Sequence, residues 1–238
     1  MHYRGKKYRE AAKLIEDGKA YAPAEAVNLV KRVSYSNFVG TVELHLRMGL
    51  DPRHADQVVR GVALLPHGLG KQVRVLVFTS GEGVRLAEAA GADYVGSDDL
   101  IKRVEEGWLD FDVAIATPEV MANKVSRLGR VLGRKGLMPN PRSGTIVQPN
   151  DLGRAIRDAR QGRVEFRLDK TGIIHVPVGK TDFEDKALLE NVASLIDSVQ
   201  KAKPSGSKGQ YVFTINLAPS MGPSVPLDLN QALALKVA

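Results

Sequence analysis

The chain contains no cysteine. That removes disulfides, thiolate metal sites, iron–sulfur clusters and a cysteine nucleophile together, and it fits a reducing cytosol. Aromatic residues make up only 5%. Stacking platforms for a flexible single strand are therefore scarce, and a nucleic-acid target would be folded or double-helical. No apolar run approaches the roughly 18 residues of a membrane span. The opening Met1-His2-Tyr3-Arg4-Gly5-Lys6-Lys7 is basic but lacks the apolar stretch of a signal peptide behind it. The histidines are His2, His45, His54, His67 and His175. None stands at metal-ligand spacing, so no metal site is expected.

Nucleotide and nucleophile motifs are incomplete. Gly70-Lys71 ends like a phosphate-binding loop, but Gln72 follows and Leu65 stands where the first glycine is needed. Gly81-Glu82-Gly83 looks like the start of a dinucleotide turn, yet Leu86 takes the place of the third glycine. A tight strand-to-helix turn is the plainer reading. No Gly-x-Ser-x-Gly elbow occurs. No cofactor and no catalytic residue are expected.

What is present is a basic chain of 238 residues with a formal charge of +7. A positive surface attracts polyanions, and nucleic acid is the commonest in a cytosol. The hydrophobic periodicity changes along the chain. Tyr8, Ala11, Ala12 and Ile15 predict a helix stopped by Gly18. A second helix follows Pro23, with Ala26, Val27, Val30 and Val33 on its apolar face. Residues 41–50 alternate and predict a half-buried strand, with Thr41, Glu43, His45 and Arg47 on the polar face. Val58 to Leu65 reads as its partner strand.

Beyond Pro66-His67-Gly68-Leu69-Gly70 the pattern is different. Strands at 73–78, 94–95 and 112–116 alternate with helices at 83–90, 98–106 and from Thr117-Pro118 on, with Thr117 as the expected cap. Nearly continuous apolar strands between helices predict a parallel sheet covered on both faces. Lys124, Arg127, Arg130, Arg134, Lys135 and Arg142 follow in a Gly/Pro-rich stretch. They could lie along phosphates or form a solvated face. A helix at 151–160 closes this block.

After Gln161-Gly162 alternation returns. Residues 163–168 and 173–178 flank Asp169-Lys170-Thr171-Gly172 and predict a hairpin. Thr181 and Glu184 read as a capping box for a helix to about Lys203. Tyr211, Phe213, Ile215 and Leu217 predict the last strand, and the tail after Pro223 shows no element.

The fold class expected is a two-domain α+β and α/β chain. A discontinuous α+β domain comprises 1–67 and 160–238, and an inserted α/β domain comprises 68–159, with joints near 66–70 and 159–162. The charge is +4 over 1–67, +1 over 68–159 and +2 over 160–238. Most of the surplus thus belongs to the discontinuous domain. Two features at its ends stand out. Phe38 lies in the polar loop 34–40, where its ring either tucks into the core or meets a partner. Ser220-Met221-Gly222-Pro223 is either a plain exit loop or a surface that presses on a sugar-phosphate backbone.

Several motifs occur together in order: Pro66-His67-Gly68-Leu69-Gly70-Lys71, Ala90-Gly91-Ala92-Asp93, Gly136-Leu137-Met138-Pro139-Asn140-Pro141 with Gly144-Thr145, Asp169-Lys170-Thr171-Gly172 and Ser220-Met221-Gly222-Pro223-Ser224. From about Tyr8 to Val225 the chain resembles the bacterial family of large-subunit ribosomal protein one, the L-one stalk proteins. The resemblance implies that the inserted domain is Rossmann-like and that the joints near 66–70 and 159–162 are hinges. It implies a non-enzymatic, cytoplasmic protein of the large ribosomal subunit that is a monomer off the ribosome. It implies binding of the large ribosomal RNA at the stalk, help in releasing deacylated tRNA from the exit site, and repression of its own operon through the mRNA. The RNA-binding residues it implies are Phe38, Thr41, Glu43, Asp169, Lys170, Thr171, His175, Ser220, Met221 and Gly222, so Phe38 is expected at the interface. The six basic residues from Lys124 to Arg142 become secondary RNA or tRNA contacts. Ser220 stands where the family usually has Thr, which keeps the hydroxyl and loses a methyl. Arg134 stands where the family commonly has Pro. No role is assigned to the tail after about Asp228.

The rival is a nucleotide- or cofactor-dependent enzyme built on the middle block, which rests on fold analogy alone. A double-helical RNA is read by shape, 2′-hydroxyls and unpaired bases. A sheet face with short polar side chains suits that task. Glu43 and Asp169, being acidic, would accept from 2′-hydroxyls or orient neighbouring donors.

Overall fold

The computed structural model describes residues 4–54, 56–207 and 209–236, apart from the Arg142 side chain. His2 lies outside the described residues. The elements run α1 (Lys6–Ala12), α2 (Pro23–Arg32), β1 (Thr41–Met48), β2 (Arg60–Leu64), β3 (Val75–Phe78), α3 (Glu82–Ala89), β4 (Tyr94–Gly96), α4 (Asp98–Glu105) and β5 (Val113–Ala116). They continue with α5 (Pro118–Asn123), α6 (Gly129–Lys135), α7 (Leu152–Arg160), β6 (Arg163–Arg167), β7 (Ile173–Lys180), α8 (Asp185–Lys201), β8 (Val212–Pro219), β9 (Val225–Leu227) and α9 (Leu229–Leu233). Contacts divide the chain into two compact units, 1–70 with 162–238, and 71–161.

The discontinuous unit is built on a four-stranded antiparallel sheet ordered β7-β1-β8-β9. Alternation in β1 places Val42, Leu44, Leu46 and Met48 in the core. Ala26, Val27 and Val30 of α2 join the same buried cluster, as do Leu188, Val192, Leu195, Ile196 and Val199 of α8. Each buried Val, Leu, Ile or Met side chain among them contributes about 1.5–3 kcal/mol by leaving water. Thr41, Glu43, His45 and Arg47 alternate with that set and stay half-buried or exposed. This unit therefore has a sheet with one packed face and one polar face.

The middle unit has a three-stranded parallel sheet ordered β4-β3-β5. Val75 and Val77 point to one side, where they cluster with Ala87 of α3 and Leu152, Ala155 and Ile156 of α7. Leu76 and Phe78 cluster on the other side with Leu100, Ile101 and Val104 of α4 and Leu132 of α6. Burial on both faces explains why β3 is apolar at every position.

The structure corrects several sequence expectations. β2 does not pair with β1; it forms a separate two-stranded sheet with β6. The expected 163–178 hairpin consequently splits, since β6 joins β2 while β7 joins β1, and a single bridge, Leu168 to Ile174, remains between the arms. Thr181 and Glu184 make no capping box. The Thr181 hydroxyl accepts from the Gly40 amide at 3.1 Å, and α8 starts after Glu184 without a side-chain cap. Thr117 occupies the N-cap position of α5, also without a side-chain bond. α1 ends at Ala12, well before Gly18. The tail carries two elements: β9 pairs with β8, and Asp228 caps α9 by accepting from the Gln231 amide at 2.8 Å. A register shift opposite Arg47 and Met48 interrupts alternation in β8 and leaves Phe213 exposed.

Candidate nucleic-acid interface

The turn at 219–222 begins the site. Its Gly222 amide donates to the Pro219 carbonyl at 3.1 Å. Met221 takes φ 66°, and no other described non-glycine residue has positive φ. A Cβ on Gly222 would stand 2.5 Å from Cγ of Pro219 and 3.1 Å from the Val33 carbonyl oxygen, so the position admits glycine alone without rearrangement. The Ser220 hydroxyl accepts from the Thr41 amide at 3.1 Å and donates to the Thr41 carbonyl at 3.3 Å. Ser220 and Gly222 therefore build the turn, and Met221 is what the turn displays, 71% exposed.

The loop before β1 is fastened to that turn. The Tyr35 hydroxyl donates to the Met221 carbonyl at 2.7 Å, and Ser36 Oγ donates to the Ser220 carbonyl at 3.3 Å. Phe38 is 58% exposed, which excludes a ring tucked into the core. Lys7, Tyr35, Phe38 and Met221 line a shallow recess of about 230 Å³. Two large apolar side chains are thus held in water beside hydroxyls and a cation.

At the other end of β1 lies the 169–172 turn, whose Gly172 carbonyl accepts from the Met48 amide at 2.8 Å. The Asp169 carboxylate accepts from the Thr171 amide, the Thr171 hydroxyl and the Ile173 amide, each within 2.8 Å. The Thr171 hydroxyl, ahead of the backbone donors and against partial desolvation, holds this carboxyl below its ordinary range. Asp169 thus orients Thr171 and leaves Lys170 and Thr171 facing solvent. Lys170 has no ion-pair partner among the described residues.

The polar face of β1 joins the two ends over about 23 Å, at ~3.3 Å per residue. Thr41 stands opposite Lys180 of β7, whose Nζ donates to its hydroxyl at 2.8 Å. His45 stands opposite His175, with Nδ1 to Nδ1 at 2.8 Å and the rings edge to face at 4.9 Å. One of these nitrogens must carry a proton and the other must not. Glu43 Oε2 lies 3.8 Å from His45 Nε2, and Asp169 Oδ2 lies 3.6 Å from His175 Nε2. Burial and then the His175 charge push the His45 pKa down, with Glu43 opposing.

The structure thus places the expected residues on β1 and the turns at its two ends, apart from His175, which faces His45 from the neighbouring strand β7. Sequence reading missed Tyr35, Ser36, Lys180 and the role of His45. Lys180 and the pairing of His45 with His175 emerge only from the β1–β7 register. Tyr35 carried a signal, being the second aromatic in the polar loop of Phe38.

The basic stretch of the middle unit divides differently. Lys124 Nζ lies 2.7 Å from Asp98, and Arg127 Nε lies 3.7 Å from Glu105. Arg130, Arg134 and Lys135 are exposed and have no acidic partner among the described residues. The Arg142 side chain lies outside the described residues. No group of three or more metal-ligating side chains occurs among the described residues. No described helix is long and apolar enough to cross a membrane.

Comparison with known proteins gives the family. The model of the ribosomal protein L1p/L10e family matches residues 30–223. The chain belongs to that family. L1p/L10e proteins are ribosomal proteins, not enzymes, and the rival reading of the middle unit falls with that. Relatives named large ribosomal subunit protein uL1 include one from Dehalococcoides mccartyi, 56% identical over 99% of both chains. Another from Chloroflexus aggregans is 56% identical over the full length of both. A third from Thermomicrobium roseum is 54% identical over 96% of this chain and 95% of its own. The L1p/L10e match runs from within α2 to just past Gly222, so it includes the Phe38 loop, the 169–172 turn and the Met221 turn.

Proposed function

We propose that this chain is a structural protein of the large ribosomal subunit in the cytoplasm, and that it grips the large ribosomal RNA at the stalk through the polar face of β1 and the turns at its ends. The observation that carries the reading is the exposed pair Phe38 and Met221, the latter displayed by a backbone conformation that disfavours any side chain. Apolar side chains held in solvent at such a cost mark a surface kept for a partner. Thr41, Thr171, Lys170 and Lys180 supply hydroxyls and cations beside them, which suits 2′-hydroxyls and phosphates. The same surface would take a like-folded mRNA and so repress the chain's own operon. Exposed Arg130, Arg134 and Lys135 support a second contact, with exit-site tRNA, whose release the protein assists. Off the ribosome the protein acts as a monomer.

Filter-binding titration with large ribosomal RNA tests the reading. Phe38→Ala should weaken binding by about 1–3 kcal/mol while the urea midpoint stays near that of the parent, since the ring is outside the core. Unchanged affinity in a folded variant would remove Phe38 from the interface.

A further inference from the structure

We infer that α1 and the segment just after the Met221 turn form a second RNA contact, a groove for one phosphodiester strand continuing from the Phe38–Met221 recess. The inference rests on the RNA-binding reading above and extends it to α1, which lies ahead of the residues matched by the family model. The groove has a volume of about 610 Å³, and Arg4, Tyr8, Arg9, Lys13 and Ser224 line it. Arg9 and Lys13 are four residues apart, the spacing that puts neighbouring side chains one helical turn from each other. Both are exposed and have no acidic partner within salt-bridge reach among the described residues. Asp17 is the one carboxylate in the lining, against three cations.

Continuity with the first contact is direct. The Arg4 guanidinium lies 4.9 Å from the centroid of the Tyr8 ring, and Tyr8 meets Tyr35 edge to face at 6.4 Å. Tyr35 in turn holds the Met221 carbonyl. Lys7 faces the recess while its neighbours on α1 face the groove. The helix therefore stands as a wall between the two, with cations on both sides. A polyanionic strand matches that wall, and a hydroxyl-bearing backbone matches Ser224 and the tyrosine.

Phosphate contacts of this kind act through counterion release, so their signature is the salt dependence of binding. The test is filter binding of the full chain to purified large ribosomal RNA across a range of potassium chloride. For the double variant R9Q/K13Q the slope of log affinity against log salt should fall by about 2, and each single variant should take away about 1. Affinity at low salt should drop about tenfold or more, and R9K/K13R should keep the parental slope. Phe38→Ala should lower affinity and leave the slope alone. An unchanged slope in the folded double variant, whatever its affinity, overturns the groove as a phosphate channel. If the parent itself ignores the RNA, the RNA-binding reading fails first and visibly.

Discussion

A methionine at φ 66° is the least comfortable residue in the described chain. A side chain there crowds its own carbonyl and costs about 1–2 kcal/mol relative to ordinary backbone. Nothing inside the protein repays that cost, because the thioether projects into solvent. Asparagine tolerates the left-handed region better than methionine. Met221→Asn should therefore hold or raise folding stability, by up to about 1 kcal/mol, while weakening RNA binding by about 1–3 kcal/mol. Urea denaturation and filter binding on the same preparation would show the two moving apart. Loss of both together would mean that Met221 serves the fold. Its neighbours behave oppositely, since Ser220 is bonded to Thr41 on both sides and Gly222 sits against Pro219 and Val33.

At the scale of elements, the polar face of β1 against β7 carries a coupled pair. His45 and His175 share a hydrogen bond, with Glu43, Asp169 and Arg47 as the charged neighbours on adjoining positions. The His45 pKa is lower in the folded protein than the ordinary value of 6.5. The unfolded chain therefore binds more protons between the two values, and stability rises with pH across that window. The contribution is complete above 6.5 and is lost as pH falls through the depressed folded value. His45→Gln should flatten this dependence, so that its stability difference from the parent changes between about pH 7 and about pH 5. A difference constant across that range, measured by urea denaturation, would show that His45 titrates as it does in the unfolded chain. The same elements mark what sequence could convey. Alternation in 41–48 and continuous burial in 75–78 are properties of one strand and its faces, and both were readable. Pairing is not: nothing in Val58–Leu65 says that it joins Arg163–Arg167 and not β1, and that choice split the expected hairpin. Lys180 and the His45–His175 pair entered the site through the same unreadable register. β9 and α9 are three and five residues long, too short for periodicity to show.

At the scale of the whole molecule, each buried cluster falls wholly within one unit. The largest draws only on residues of 1–70 and 162–238, and the other two only on residues between 75 and 159. A unit with its own core can fold alone. Where the chain leaves and re-enters the discontinuous unit, its two passes touch. The Leu65 amide donates to the Gly162 carbonyl at 3.2 Å, and a Cβ on Gly162 would lie 2.4 Å from Cα of Gly68. Buried Asn191 of α8 fixes the outgoing pass by accepting from the His67 amide at 3.0 Å and donating to the Gly68 carbonyl at 3.0 Å. The ends are thus close and held in place without the middle block, and closing them with a short linker costs little loop entropy. Replacing 71–161 by a few glycines and serines should give a protein that unfolds in one cooperative step and keeps the parental affinity for large ribosomal RNA within about tenfold. The excised 71–161 unit should fold as well and bind that RNA far more weakly, since Phe38, Met221, Lys170 and the β1 face all lie in the other unit. A folded 1–70/162–238 protein that ignored the RNA, set against a middle unit that held it, would transfer the binding surface to the parallel sheet.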